Sequence, residues 1–250
     1  MVSEATKRIR SSQRDSEVTK RRKLDEAVDD YANKTPLELL GIIAGLTDEP
    51  AAAAKAYESL RLQLNESITH DVILGLLSTD IIVQMAVSFK IDDPMLNYEI
   101  LWALTNLTAL LRPNEIEQLF AKRSDTLHFI IKRLTSFITT GAPLPLSCLA
   151  CWAIGNILAD SGEMREHFLR VNILEHIVSL AELDDEADTE FISIQAWLIG
   201  NILRNNHPPV HHSICIKALP RLIQLLKTNV PSIQSDIMRF VRNLDFLFVN

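Results

Sequence analysis

Apolar residues recur every three to four positions along most of the chain, as in LELLGIIAGL (Leu37–Leu46) and LPRLIQLLKT (Leu219–Thr228). That spacing lines one face of an α-helix. No convincing run alternates in the way a half-buried strand requires. Thr35-Pro36 supplies an N-cap followed by a proline at the first helical position. It predicts helices over about 36–46 and 50–65, separated by TDEP. Further polar or proline-bearing breaks fall near 92–95 (DDPM), 141–145 (GAPLP), 184–189 and 229–232.

Between these breaks one pattern returns. A tryptophan is followed four residues later by an asparagine at Trp102/Asn106 (WALTN), Trp152/Asn156 (WAIGN) and Trp197/Asn201 (WLIGN). Residues four apart lie one turn apart on the same helical face. The Trp-to-Trp offsets are 50 and 45 residues, and 42 residues further on stands Arg239, with Asn243 one turn later. A period near 42 with two or three helices per unit indicates an armadillo or HEAT solenoid of about four and a half units between residues 35 and 250. The expected fold is all-α: a right-handed armadillo superhelix of about 4–5 repeats over 31–250. A basic, mostly disordered arm over 1–30 precedes it.

Composition agrees, with 47% hydrophobic residues, only 7 glycines and 6% aromatics. Charge changes the picture more. Residues 1–23 hold eight of the 25 Lys/Arg and three of the 32 acidic residues, so they carry +5 and the remainder −12. A basic arm joined to an acidic body argues against a body that grips nucleic-acid phosphates. No stretch reaches the ~18–20 apolar residues of a membrane span, and no secretory signal opens the chain. Cys148 and Cys151 form a CxxC without a second ligand pair at zinc-site spacing and read as small buried residues. With Cys215 they fit a reducing compartment. No metal or other cofactor is expected. A phosphate-binding glycine loop, a Ser–His–Asp arrangement and HExxH are all missing, and His211-His212 lacks neighbouring carboxylates, so the chain does not read as an enzyme.

In a solenoid the third helices of successive repeats lie side by side, ~8–10 Å apart, so equivalent residues form ladders on the concave surface. A repeated asparagine is poorly explained by apolar packing, because a buried amide needs partners. Its donor and acceptor suit the backbone of an extended peptide. Parallel indoles form slots for the stems of Lys or Arg, with cation–π attraction of ~0.5–2 kcal/mol each. A ~10 Å step matches about three extended residues. Asp160, one turn after Asn156, is placed to meet an ammonium between two slots.

On these residues the sequence resembles the importin α family, armadillo adaptors that carry proteins bearing basic nuclear localisation signals. WAIGNILADSGEMREHFL (Trp152–Leu169) is similar to that family's third repeat, with Asp160 at its lysine-binding aspartate. WLIGNILRNNHPP (Trp197–Pro209) is similar to its fourth repeat. The arm RIRSSQRDSEVTKRRKLDE (Arg8–Glu26) resembles the end of the importin-β-binding segment, which docks on importin β or lies in the adaptor's own groove. The resemblance implies a peptide site at Trp102, Asn106, Trp152, Asn156, Asp160, Trp197, Asn201, Arg239 and Asn243. It also implies an importin-β-binding, autoinhibitory arm at Arg14, Lys20, Arg21, Arg22 and Lys23, and a working place in cytoplasm and nucleus.

The chain departs from the family in several places. It holds about five repeats rather than ten. Leu110 and Glu115 stand where small and hydroxyl residues help hold the signal's lysine, and Arg239/Asn243 replaces an aromatic pair. The apolar DIMRFVRNLDFLFVN (Asp236–Asn250) leaves dimerisation, a partner at that end, or truncation as alternatives. The rival functional reading is an armadillo scaffold, or an import-incompetent adaptor, for a different protein partner. The Asp160 assignment has a direct test. Asp160→Lys weakens a Lys-rich peptide by more than ~1 kcal/mol, read by fluorescence anisotropy, while circular dichroism stays unchanged.

Overall fold

The computed structural model describes residues 31–65, 67–120, 124–159, 161–180, 189–204, 208, 210–228, 230–231, 233–235 and 237–238. The chain divides into Met1–Asn33 and Lys34–Asn250. Of the first unit only 31–33, a turn, is described. In the second unit the described residues give twelve bounded helices, further helical residues between 231 and 238, and no strand.

The predicted helix starts appear where local chemistry puts them. Helix α1 (Pro36–Gly45) opens with a capping box: Glu38 N–H donates to the Thr35 hydroxyl and Thr35 N–H donates to the Glu38 carboxylate at 2.8 Å. Helix α2 (Pro50–Gln63) starts on the proline of TDEP. The next pair, α3 (His70–Ser78) and α4 (Ile81–Ser88), is separated by Asp80 at φ 60. In the break at 92–95, Asp93 caps Leu96 N–H at 2.8 Å and Pro94 begins α5 (Pro94–Leu110). Helices α6 (Pro113–Phe120), α7 (Ser124–Ser136) and α8 (Leu144–Leu158) follow, the last launched from GAPLP. Ser161 caps α9 (Gly162–Arg170), and Asn172 at φ 57 turns the chain into α10 (Ile173–Ser179). Asp80 and Asn172 occupy the same place in their repeats, a left-handed corner that short polar side chains tolerate. Helix α11 (Thr189–Ile202) and α12 (His212–Leu226) complete the set. Helix α12 runs on through Pro220 where the preceding repeat breaks into two short helices.

The third helices α2, α5, α8 and α11 stack in that order and form the spine. Helix α5 lies between α2 and α8, and every residue from Glu99 to Thr108 is buried. That accounts for its continuous apolar run, since a helix covered on all sides needs no polar stripe. The first and second helices of each repeat cover the other side of the spine, with Leu76, Ile82, Met85, Ile130 and Ile177 in the core. The architecture is the all-α repeat solenoid that the period implies. No single helix among the described residues is long and apolar enough to cross a membrane.

One buried cation ties successive repeats together. Arg165 on α9 is 1% exposed. Its guanidinium donates to the carbonyl of Arg204 at 2.9 Å and to that of Pro208. Arg204 returns the contact, donating to the Ala159 carbonyl at 2.7 Å. The two arginines thus cross-brace the ends of α8 and α11. Arg165→Met keeps the stem but loses both carbonyl contacts. It destabilises the protein by about 2–3 kcal/mol in urea unfolding, with Arg165→Lys in between.

Candidate functional site

The Trp–Asn pairs fall on the spine, Trp102/Asn106 on α5, Trp152/Asn156 on α8 and Trp197/Asn201 on α11. The three amides act alike. Asn106 Nδ2 donates to the Arg61 carbonyl at 3.0 Å, Asn156 Nδ2 to that of Thr105 at 3.1 Å, and Asn201 Nδ2 to that of Gly155 at 3.0 Å. Each acceptor lies on the preceding third helix, and Thr105 and Gly155 directly precede the asparagines of their own repeats. The amide is therefore a staple between neighbouring spine helices. The sequence pattern points to asparagines offering both halves of the amide to a ligand; here the donor half is used within the spine. A helical carbonyl already bonded within its helix retains a second lone pair, and the side-chain amide fills it.

The oxygen halves differ. Asn201 Oδ1 accepts from Arg204 Nη2 at 3.2 Å. Asn106 Oδ1 and Asn156 Oδ1 are buried and have no hydrogen-bond partner among the described residues.

The indoles differ too. Trp197 packs on the preceding helix at Gly155, where an added Cβ would lie 2.0 Å from its ring carbon Cζ3 and 2.4 Å from Cη2. Asn201 bonds the carbonyl of that same glycine. Trp and Asn thus straddle one residue of the helix before, which is the physical reason for their four-residue spacing at this step. Trp152 and Trp197 are half-buried, whereas Trp102 is only 6% exposed. Tyr98 stands edge-on to Trp102, ring centroids 5.4 Å apart at 87°. The Arg61 guanidinium lies over the Trp102 ring, 4.2 Å from its centroid.

Arg61 and its carboxylate partners Glu58 and Glu99 were not singled out by the sequence pattern, because the first repeat lacks the Trp–Asn signature. The signal was register: Arg61 precedes Asn106 by 45 residues, as Gly155 precedes Asn201 by 46. Glu115 is turned inward, accepting from Arg112 N–H at 2.8 Å and pairing with His70 Nε2 at 2.9 Å. Leu110 is half-buried at the end of α5.

Asp160, Arg239 and Asn243 lie outside the described residues, as do the arm residues Arg14, Lys20, Arg21, Arg22 and Lys23. Cys151 and Cys215 are buried and Cys148 half-buried, all as free thiols. Burial, with Cys148 nearby, pushes the Cys151 thiol well above its ordinary range, which makes it a poor nucleophile. His211 and His212 are exposed, and His211 caps α12 through Ser213 N–H. Among the described residues no group of three or more His, Cys, Asp or Glu could hold a metal ion.

No protein-family model matches the chain. Solved structures do. A designed armadillo repeat protein in complex with the peptide (KR)4 is similar at 19% identity and TM-score 0.65, over 86% of this chain and 89% of that one. Computationally designed armadillo repeat proteins for modular peptide recognition are similar at 20% identity and TM-score 0.66, over 82% of each chain. A further engineered protein is similar at 19% identity and TM-score 0.68, over 87% of this chain and 89% of that one. The fold is an armadillo-repeat solenoid. Its ladder makes a specific demand at Gly155. Gly155→Ala pushes Trp197 off α8 and costs about 1–3 kcal/mol in urea unfolding, with a red shift of tryptophan emission.

Proposed function

We propose that this solenoid binds an extended basic segment of a partner protein along the ladder of third helices. The observation that carries the reading is the pair Trp152 and Trp197, half-exposed on neighbouring spine helices that Asn201 fixes in register. Two such indoles give side walls for Lys or Arg stems. The −8 charge of residues 31–250 attracts such a ligand over longer range. The similar designed armadillo protein with (KR)4 bound supports the same class of ligand.

The resemblance to importin α makes this reading more specific. The ligand is then a nuclear localisation signal, with Asp160 facing its lysine and its basic stems beside Trp152 and Trp197. Importin β docks through Arg14, Lys20, Arg21, Arg22 and Lys23, and the protein moves between cytoplasm and nucleus. By sequence period, Arg239 and Asn243 stand where a further Trp/Asn pair would, and a cation there disfavours a basic side chain.

The test is fluorescence anisotropy of a labelled Lys/Arg-rich signal peptide at ~150 mM salt. The expected result is micromolar or tighter binding. Trp152→Ala and Trp197→Ala each weaken it about threefold to thirtyfold, the equivalent of about 0.5–2 kcal/mol per lost cation–π contact. Titration of importin β with the full chain, and with Lys20–Lys23 replaced by alanine, tests the arm. A well-folded protein that ignores the peptide overturns the reading in favour of an armadillo scaffold for another partner.

A further inference from the structure

The residue whose carbonyl takes each ladder asparagine differs from repeat to repeat, being Arg61, Thr105 and Gly155, and the first case is unlike the third. At Gly155 no side chain stands between the Trp197 ring and the preceding helix. Arg61 is the counterpart of Gly155 on α2, since each gives its carbonyl to the next repeat's asparagine. Its side chain is 7% exposed. The guanidinium lies 4.2 Å from the Trp102 centroid. Its Nε donates to Glu99 Oε2 at 2.6 Å and its Nη2 to Glu99 Oε1 at 3.5 Å, while Glu58 Oε1 sits 3.4 Å from Nη2. The Glu99 side chain is 7% exposed and that of Glu58 41%. Glu58 precedes Arg61 by three residues, as Trp102 precedes Thr105, so a carboxylate stands where later repeats carry their indole.

These groups make a cation site with an aromatic wall, a buried carboxylate able to take two guanidinium N–H groups, and a second carboxylate at its mouth. Planar stacking and forked hydrogen bonding are what a guanidinium satisfies and an ammonium does not. Two carboxylates against one guanidinium leave the cluster at −1. A second cation has no face of Trp102 left to use on the side that Arg61 covers.

We propose that Glu58, Glu99 and Trp102 form an arginine-binding subsite that Arg61 fills from within. The first step of the ladder is thereby closed, and recognition of a basic peptide begins at Trp152. The placement of the peptide rests on the function proposed above; the subsite itself does not.

Ethylguanidinium chloride is titrated into the wild-type chain and Arg61→Ala while thermal unfolding is followed. The expected Tm of Arg61→Ala lies below wild type and climbs by several degrees at millimolar ethylguanidinium. Wild type does not respond, nor does the variant in sodium chloride of equal ionic strength. Equal responses in both proteins, or none in either, overturn the subsite. If Arg61→Ala does not fold alone, refolding with ethylguanidinium is the same test. Recovery supports the subsite, and failure beside a folded Arg61→Ala/Glu99→Gln protein overturns it. In parallel, a signal peptide is compared with versions carrying one more arginine at either end. The expected gain is about tenfold in Arg61→Ala and under about twofold in wild type. Equal gains overturn the closed first step. Ethylguanidinium rescue without any peptide binding by wild type leaves the subsite standing and removes only the peptide reading.

Discussion

The bond from each ladder asparagine to a carbonyl of the preceding third helix governs the rest of the structure. Adjacent helices can slide along one another at little cost when only apolar surfaces meet, because ridges and grooves repeat every turn. A directed N–H···O contact at 3.0–3.1 Å removes that freedom at all three junctions of the spine. Once the amide is anchored, the tryptophan one turn earlier is aimed as well. At the α8–α11 junction the anchor and the ring share a single residue, Gly155, which gives its carbonyl to Asn201 and its bare Cα surface to Trp197. Stability and display of the indole therefore come from one device.

That device leaves one variable, the residue that lies under the next ring. Glycine lets the indole sit against bare backbone, where it stays half-exposed. Arginine covers the ring with a paired guanidinium, and Trp102 becomes buried. Thr105, between them in the series, turns its hydroxyl to the Leu101 and Leu149 carbonyls, which adds a second tie between α5 and α8. The backbone register is constant while the surface above it changes. In such a scaffold recognition can vary step by step without disturbing the fold.

Much of this was legible in the sequence. Thr35-Pro36, DDPM and GAPLP mark helix starts because caps and first-turn prolines act locally. The solenoid was legible because Trp102/Asn106, Trp152/Asn156 and Trp197/Asn201 repeat at a fixed spacing. The direction of the amides was not. An asparagine that staples two helices and one that holds a ligand look the same in a linear pattern, since both need regular recurrence on one face. Arg61 was hidden for a related reason. It belongs to the repeat without a Trp–Asn pair, and its partner Glu99 is 38 residues away. The buried guanidinium of Arg165 was equally invisible, because the acceptors that tie it to the next repeat are backbone carbonyls that any sequence supplies. Glu115, read as a departure within a lysine pocket, instead joins α6 to His70 on α3.

The internal cations qualify what the acidic charge of the body means. A net −8 over residues 31–250 suggests a surface uniformly receptive to basic ligands. Yet Arg61 sits on the spine at α2 and Arg204 just past the end of α11, held by Glu99 and by the Ala159 carbonyl of the neighbouring repeats. A guanidinium already stacked on an indole takes the face that an incoming cation would use, and contacts a few ångströms apart outweigh a diffuse field screened by salt. For the basic segment proposed above, acidic composition governs encounter, whereas placement along the ladder is set by where the chain has supplied its own arginines. Between Arg61 at one end and Arg204 beyond Asn201 at the other, the half-exposed indoles of Trp152 and Trp197 form the stretch of spine on which an incoming cation meets an aromatic face before it meets an arginine.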